Sequence, residues 1–546
     1  MPEHLDEKSI EVARARRARR RRGVSWFRYC LFMLAALALA ACDPLPAVSA
    51  GNLMNVTPTT RVNDPQNLVY RYPRTLPMRG DPDFDVEVLT EEQRIWHERL
   101  DDAADSDDGI MDIEELAKSD DAYHYGRALF THNHSLLLGL RATGDLEFLD
   151  EVDEIMQIVR EQLEDGWCGD VRDRVREKGP YTDLRGEDGY LNFRRRHDDD
   201  AEGYCRDITD LEEALVHGHI AMVMYAYHLN RDLESPEGID YGERADFWFD
   251  YLLNHFEPKW RERSGREFPR MDFIDLKFCH TFNTFLLYYY YMGMRLQDEG
   301  SDRANEYLDQ ARLMTNQMFE VPYVPRRRGG GFMPTSTPLG EAVVYSFAAP
   351  GLELDPGDPS LEACPTTYAR YMVPALVQLR LEGFYRWDDV IMSKLARGLA
   401  HFVFDTEEIS ARAAPFAAGV TGDETVERIP STDYRNRFDV DSYAISALAN
   451  LGPWNDSGRI AKISHEVYER IEPDPDDPNN VHLPASFLLA ATLEAMAQPA
   501  EPSEAGVPAA GTAEPTEAGA EEPLDEPAAP EDESDPGSDD PGSGDG

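Results

Sequence analysis

The sequence predicts an all-α protein built as a closed ring of helical hairpins, an (α/α)6 toroid. From about residue 90 onward the apolar residues recur with helical spacing, and the alternation typical of strands is scarce. A single unit recurs along the chain: a helix, a short turn with Gly or Asn, and an amphipathic helix. Turns within a unit are short, whereas the connections between units are long.

The units can be delimited from these patterns. Five hairpins are predicted at 121–142 with 146–164, 208–230 with 242–257, 276–298 with 302–319, 366–383 with 387–404, and 439–451 with 456–471. The helix at 483–497 lacks a following partner, and the helix at 91–103 lacks a preceding one. We therefore expect these two helices to pair as a sixth hairpin and to close the ring.

The long connections predict where a functional site lies. If alternate helices form an inner ring, every long connection leads into the N-terminal end of an inner helix, so all of them lie on one face. Loops gathered on one face of a rigid scaffold usually build the site. An open helical solenoid that binds proteins is the competing interpretation of the same repeat.

Four regions follow from composition. We predict a signal peptide at 1–41, a flexible tether at 42–85, the toroid domain at 86–500 and a disordered acidic tail at 501–546. The tether is rich in Pro, Asn and Asp without a period, and the tail has 15 acidic residues and no Lys or Arg. Such a tail buries too little apolar surface to offset the entropy of ordering it.

The N-terminus predicts export and a lipid anchor. A basic segment precedes an apolar run of 13 residues, Tyr29 to Ala41, which is too short to span a bilayer. The run ends in Leu39-Ala40-Ala41-Cys42, which resembles the lipobox of bacterial lipoproteins. That resemblance implies cleavage before Cys42 and lipidation of its sulfur, and hence a membrane-anchored protein of the cell envelope, either periplasmic or surface-facing. An ordinary secretory signal is the alternative.

Charge and cysteine content limit the partners and the compartment. The formal net charge is -50, which argues against a nucleic-acid partner because phosphates would be repelled. Once the signal is removed and the anchor used, four cysteines remain: Cys168, Cys205, Cys279 and Cys364. In an oxidising compartment they could form two disulfides with three connectivities, and free buried thiols are the alternative.

The predicted architecture resembles that of the (α/α)-toroid carbohydrate-active enzymes, which include polysaccharide lyases, uronyl hydrolases and epimerases. The resemblance covers about 400 residues and rests on the hairpin period and on phrases such as Leu140-Arg141-Ala142-Thr143-Gly144-Asp145. It implies a site in the funnel at the starts of the inner helices. No nucleophile elbow, P-loop or HExxH motif is present in the sequence.

Several side chains at the predicted funnel mouth suit β-elimination at a uronate. That chemistry needs a neutralised carboxylate, a base and an acid, roles open to Asn or Arg, His and Tyr. The expected catalytic residues are His280, Asn283, His217, Tyr434 and Tyr368. For each histidine alone, a hydrogen-bonded helix residue is the alternative. His132 and His134 are two apart on a helix, so at most one of them points inward.

Arginines of the long loops and helix starts suggest an acidic polysaccharide as the partner. The expected substrate-binding residues are Arg370, Arg437, Arg326, Arg327 and Arg328. Arg forks pair well with carboxylates or sulfates. A second triple-arginine run, Arg194 to Arg196, has the same composition. Both runs could instead be solvated loops that balance neighbouring acidic residues.

Two other functions remain open. A glycoside hydrolase would use two carboxylates, for which Asp439, Asp441 and Glu213 are the candidates. A lipoprotein that binds glycans or proteins without catalysis is the non-enzyme alternative. No cofactor is required by any of these functions. The segment from Gly109 to Glu115 resembles half of an EF-hand loop, which would bind calcium. Its acidic ligands are out of register, so an acidic helix start is the alternative.

The lipid anchor can be tested at Cys42. Replacing Cys42 by Ser should abolish acylation, because the thioether requires the sulfur. Mass spectrometry of the N-terminal peptide and fractionation of cells measure this: the natural chain should enter the membrane fraction and the variant should not. Cys30→Ser, within the predicted signal, should leave acylation intact. A mature chain with an unmodified N-terminus would contradict the prediction.

Overall fold

The structure is a computed structural model that describes residues 66–104, 113–118, 122, 125–167, 186–196, 205–207, 210–264, 278–321, 330–345, 349–350, 366–402, 448–471 and 479–497. Within these ranges the chain is mainly helical. The α-helices are α1 Glu91–Ala104, α2 Ile113–Lys118, α3 Phe130–Thr143, α4 Glu147–Glu161, α5 Asp210–Leu229, α6 Tyr241–Tyr251, α7 Glu257–Ser264, α8 Cys279–Asp298, α9 Ala304–Glu320, α10 Thr366–Leu381, α11 Asp389–Phe402, α12 Arg459–Ile471 and α13 Asn479–Met496.

The predicted hairpins are confirmed in these helices. The pairs α3–α4, α5–α6, α8–α9 and α10–α11 pack against each other, and α13 packs against α1 as the predicted closing pair. Short π-helices, Tyr125–Leu129 and Leu252–Phe256, extend α3 and join α6 to α7. Most of the predicted fifth inner helix, 439–451, lies outside the described residues.

The inner helices form a ring. Helix α3 packs against α5, α5 against α8, and α8 against α10, while α13 returns to pack on α3. Helix α8 is buried on all sides from Cys279 through Gly293, as expected for an element enclosed by an outer layer. By its place in this order, α10 lies across the ring from α3. The toroid prediction is therefore confirmed by contacts among the chain's own helices.

Three short antiparallel hairpins occupy the long connections, where the sequence had shown no strand alternation. Strands β1 Glu164–Trp167 and β2 Gly186–Asn192 pair, as do β3 Arg194–Arg196 and β4 Cys205–Asp207, all before α5. Strands β5 Phe332–Thr337 and β6 Gly340–Tyr345 pair before α10, and β6 packs on α11. Because each pair is short and local, periodicity gives little sign of it.

The phrase Leu140 to Asp145 shows how local chemistry ends an inner helix. Gly144 adopts φ +81°, and its N–H donates to the carbonyl of Leu140 at 2.7 Å, closing the helix C-terminus. Asp145 then starts the turn, and its Oδ2 lies 2.7 Å from Nε2 of buried His97 on α1. The turn therefore ties the first hairpin to the closing helix.

An extended segment, residues 66–85, covers the face where the inner helices end; we call it the base strap. Its backbone bonds to helix ends around the ring: Leu76 N–H donates to Leu381 O at 2.7 Å, and Asp81 N–H to Gly144 O at 2.7 Å. Asn230, just after α5, accepts from Gly80 N–H at 2.7 Å through its Oδ1. These bonds satisfy carbonyls and amides that helix termini leave open.

Asp389 fixes the first part of the base strap. Its carboxylate accepts the N–H groups of Arg71 and Tyr72, the Nε–H of Arg380 at 2.6 Å and the indole N–H of Trp454 at 2.7 Å. Arg380 is fully buried and also donates to carbonyls of the strap. Residues 66–85 were assigned to the flexible tether on composition, yet in the structure they are bonded to the ring.

A buried ion pair crosses the ring just above the strap. Arg141 on α3 pairs with Glu382, which follows α10 on the opposite side of the ring. Arg141 also donates to the carbonyl of Leu76, and its Nη2 lies 3.2 Å from the hydroxyl oxygen of Tyr291 on α8. The pair therefore links α3, α8, α10 and the base strap.

Breaking this pair should destabilise the whole domain. Arg141→Met leaves Glu382 buried without a counter-charge, so the free energy of unfolding should fall by about 3–5 kcal/mol. Arg141→Met combined with Glu382→Leu should recover much of that loss, because no charge then stays buried. Chemical denaturation of the three variants measures these values.

The matched control is an exposed pair on the same strap. Arg79 pairs with Asp232 at 2.8 Å, with 43% and 62% of the side chains exposed. Arg79→Met should cost less than about 1 kcal/mol. Equal losses for Arg79→Met and Arg141→Met would contradict a special role for the buried pair.

Candidate active site

The bore is the name used here for the axis of the ring of inner helices, and the base strap covers one of its ends. The strap covers the C-terminal ends of the inner helices, so the open end, the mouth, lies at their N-terminal ends. The connections that contain β1–β4 and β5–β6 precede α5 and α10 and so enter the ring at the mouth. The structure thus agrees with the sequence-based expectation of loops gathered on one face.

Two hydrogen-bonded layers cross the bore between α3 and α10. The lower layer is the Arg141–Glu382 pair. The upper layer joins His134 to Gln378, whose Nε2 lies 3.3 Å from His134 Nδ1. His134 Nε2 and Gln378 Oε1 are both buried and have no hydrogen-bond partner. The upper layer therefore forms a polar floor for the bore.

Other buried histidines lie on the inner helices. His482 at the start of α13 lies 2.5 Å from the hydroxyl of Ser135 through its Nδ1. Burial lowers the pKa of His219 to about 3 and that of His132 to about 4. Burial, together with the nearby His219, His482 and Arg141, lowers the pKa of His134 well below its usual value. These three imidazoles are therefore uncharged at neutral pH.

His280 and Asn283 lie near the mouth end of α8. His280 is buried, its ring 5.9 Å from both Phe278 and Tyr371 between centroids. The Asn283 side-chain amide donates to the carbonyl of Cys279 at 2.6 Å, and its Oδ1 lies 3.5 Å from the Tyr345 hydroxyl. His280 thus faces α10, whereas the amide of Asn283 is used by its own helix.

His217 faces the outer layer. Its Nε2 lies 2.9 Å from the hydroxyl of Tyr251 on α6, and its ring stacks on Phe256 at 3.8 Å between centroids. His219, two residues after His217 on α5, is the histidine of this helix that lies near His134. A two-residue step on a helix turns the side chain by about 200°. The structure therefore does not bring His217 together with His280 and Asn283.

The structure describes the other predicted site residues only in part. Tyr368 and Arg370 lie in the first turns of α10, but their side chains are outside the described part. The remaining ones, Tyr434, Arg437, Arg326, Arg327, Arg328 and Cys42, lie outside the described residues. So do Asp439, Asp441 and most of the segment that resembles an EF-hand, while Glu213 is described only as part of α5.

Sequence reasoning missed the floor itself. Gln378 stands in an apolar run, Val373 to Leu379, and a buried amide in such a run needs a partner, which is a usable signal. Of the two histidines on α3, His134 is the one that contacts a side chain from across the bore. Which two helices face each other at the same depth could not be read from spacing alone.

Three other observations concern cysteines, metal ligands and helix length. Cys279 is in a disulfide, which is one of the two states that the sequence leaves open for the four cysteines. Among the residues the structure describes, no group of three or more His, Cys, Asp or Glu side chains could hold a metal ion. None of the described helices is long and apolar enough to cross a membrane.

Comparisons with known proteins gave similarities to solved structures only. No family model and no curated protein matches the chain. The chain is similar to two inactive variants of the α-1,6-mannanase GH76A of Salegentibacter sp. HEL1_6, one in complex with α-1,6-mannotetrose and one with α-1,6-mannotriose. Identity is 11% and 12%, with a TM-score of 0.31, 73% of this chain and 99% of that chain covered in each case. The ring described above rests on contacts within this chain.

Burial of neutral histidines predicts a loss of stability in acid. The pKa of His219 is about 3 when folded and near 6.5 when unfolded, so between these values the unfolded state binds the extra proton. The contribution of neutral His219 to the free energy of unfolding is therefore complete above about pH 6.5. Below that pH it falls by about 1.4 kcal/mol per pH unit. In His219→Gln, the fall in the free energy of unfolding from pH 7 to pH 5 should be smaller by about 2 kcal/mol.

A substitution that removes no titrating group provides the control. Buried Gln93 on α1 donates to the Thr492 hydroxyl at 3.0 Å, away from the floor. Gln93→Met should lower stability at every pH by the same amount and keep the slope. If His219→Gln keeps the natural slope as well, this explanation of acid sensitivity is wrong.

Proposed function

We propose that this protein is an exported, lipid-anchored glycoside hydrolase that cleaves a polysaccharide in the mouth of the bore. The base strap covers one end of the ring of inner helices, and long connections enter the ring at the other end. Its walls combine aromatic rings near the mouth, those of Phe278 and Tyr371, with uncharged polar groups at the floor. Apolar walls with a few placed polar groups are typical of small-molecule and sugar sites.

One observation carries the choice of hydrolysis over β-elimination. On the inner helices, every arginine whose side chain is described already pairs with a carboxylate. These are Arg141 with Glu382, Arg295 with Asp246 and Glu299, and Arg380 with Asp389. Among the described side chains of the inner helices, no arginine is therefore left to neutralise a uronate carboxylate, which is one of the two ways, Asn or Arg, of meeting that requirement of β-elimination.

Two of the described residues expected to perform elimination make other contacts. His217 bonds to Tyr251 in the outer layer, and the amide of Asn283 donates along its own helix. Of the described residues expected to perform elimination, only His280 has its ring directed toward α10. A lyase would need its base, acid and neutralising group to converge on one sugar.

Hydrolysis needs two carboxylates on either side of the scissile bond. One protonates the leaving oxygen, and the other activates water or attacks the sugar. We assign these roles to Glu213 in the first turn of α5 and to Asp439 and Asp441, which stand at the predicted start of the fifth inner helix. Their separation would decide between retention and inversion of the anomeric centre.

The strap supports an orientation at the membrane. The proposed anchor at Cys42 precedes the strap, which begins at the covered end of the ring. The tether would therefore join the domain at its base, so that the mouth faces away from the membrane. A polymer approaching from the opposite side could then reach the site without passing the lipid surface.

Product analysis tests the reaction. The full chain, incubated with a panel of neutral and uronate polysaccharides, should release new reducing ends without a rise in absorbance near 235 nm, because hydrolysis forms no unsaturated uronyl group. Glu213→Gln, Asp439→Asn and Asp441→Asn identify the carboxylates: replacing a true catalytic pair should lower kcat by at least about 100-fold each.

The control is an exposed carboxylate on β6. Glu341 pairs with Lys394 on the outer helix α11, and Glu341→Gln should retain full activity. Absorbance at 235 nm that rises with the reducing ends would show a lyase instead. No product from any polymer, together with measurable glycan binding, would favour the non-catalytic lipoprotein.

A further inference from the structure

The His134–Gln378 layer leaves two polar atoms unused. If the Gln378 side-chain NH2 donates to His134 Nδ1, the neutral imidazole carries its hydrogen on Nε2. Nε2–H is then a donor and Gln378 Oε1 an acceptor, both buried without a hydrogen-bond partner. If the Gln378 amide is turned over, its oxygen accepts from Nδ1–H of His134. The Gln378 NH2 is then the remaining donor and His134 Nε2 the remaining acceptor.

Leaving both atoms unpaired is costly in a folded protein. A buried polar atom without a partner costs roughly 1–3 kcal/mol, and most such atoms in proteins are paired. The side chains of His134 and Gln378 are 2% and 0% exposed, so bulk solvent cannot reach them freely. The two side chains lie between α3 and α10, one layer nearer the mouth than the Arg141–Glu382 pair.

We propose that this pair is a binding subsite for an uncharged sugar unit, whose hydroxyl donates to one free atom and accepts from the other. The inference rests on the proposed function and specifies its substrate class. A hydroxyl is the common polar group that both donates and accepts through a single oxygen, so it matches one donor beside one acceptor.

The charges around the floor favour a neutral ligand. Arg141, one layer below, is committed to Glu382. Burial keeps the neighbouring imidazole of His219 uncharged at neutral pH. A uronate carboxylate at this depth would lose its hydration without gaining a counter-charge, which costs several kcal/mol. The sugar at the floor is therefore a neutral one, and any acidic unit of the polymer would have to lie elsewhere.

A near-isosteric substitution tests the subsite. Gln378→Met keeps the side-chain volume and removes both the bond to His134 and the free polar atom. For a neutral polysaccharide we expect KM to rise about tenfold, since loss of roughly 1.4 kcal/mol of binding changes affinity by that factor. Gln93→Met, which alters a buried glutamine outside the bore, should leave KM unchanged while lowering stability comparably.

Calorimetry separates this inference from the proposed reaction. The full chain is titrated with maltotetraose, cellotetraose, mannotetraose and xylotetraose, and with tetragalacturonate and tetraguluronate. We expect at least one neutral tetrasaccharide to bind, with affinity reduced about tenfold in Gln378→Met, and neither uronate to bind. This result would support the subsite even if no hydrolysis is found.

Two results would overturn the inference. One is tight binding of a uronate tetrasaccharide, or the failure of every neutral tetrasaccharide to bind. The other is a Gln378→Met variant that is less stable but binds and turns over neutral sugars as the natural chain does, which would make the pair a brace between α3 and α10. Hydrolysis by the natural chain could persist in the second case, so the two proposals fail independently.

Discussion

The ion pair between Arg141 and Glu382 is the constraint on which the rest of the ring depends. It brings a charge from α3 and a charge from beyond α10 together across the bore, where the Arg141 side chain is fully buried and that of Glu382 is 10% exposed. Such a charge must be paired, so the two opposite sides of the ring are held at one separation. Arg141 also bonds to the base strap through Leu76 O, so the same residue fixes the cover to the ring.

This constraint has a chemical consequence one layer higher. Because the arginine is neutralised and the base is covered, the groups above it meet neither a free charge nor bulk water. His134, Gln378 and His219 therefore face the bore as uncharged donors and acceptors. A cleft closed at its base and lined this way suits the hydroxyl groups of a neutral sugar better than a carboxylate. The formal net charge of the full sequence, -50, is consistent with that preference.

The sequence predicted the ring because its determinants are local. Helical spacing, the glycine that ends α3 and the lengths of the connections are all read from neighbouring residues. The floor depends instead on which residues of α3 and α10 share a depth, and that is set by packing between helices far apart in sequence. The direction of His217 was undetermined for a related reason, since either face of α5 could point inward.

The base strap was missed because extended segments carry little signal. Residues 66–85 have no hydrophobic period, and their structure comes from N–H and C=O groups that every residue has. Only the partners distinguish this segment from a flexible linker, namely the helix ends near Gly144, Asn230 and Leu381 and the carboxylate of Asp389. Composition alone therefore gave no sign that this segment is bonded to the ring.

A crystal structure of the full chain with a neutral oligosaccharide tests the central claim most directly. The account predicts a sugar ring in the bore, with one hydroxyl within hydrogen-bond distance of both His134 Nε2 and Gln378 Oε1 and with Arg141 still paired to Glu382. A sugar bound only on the outside of the ring, or a charged sugar bound at the floor, would contradict it.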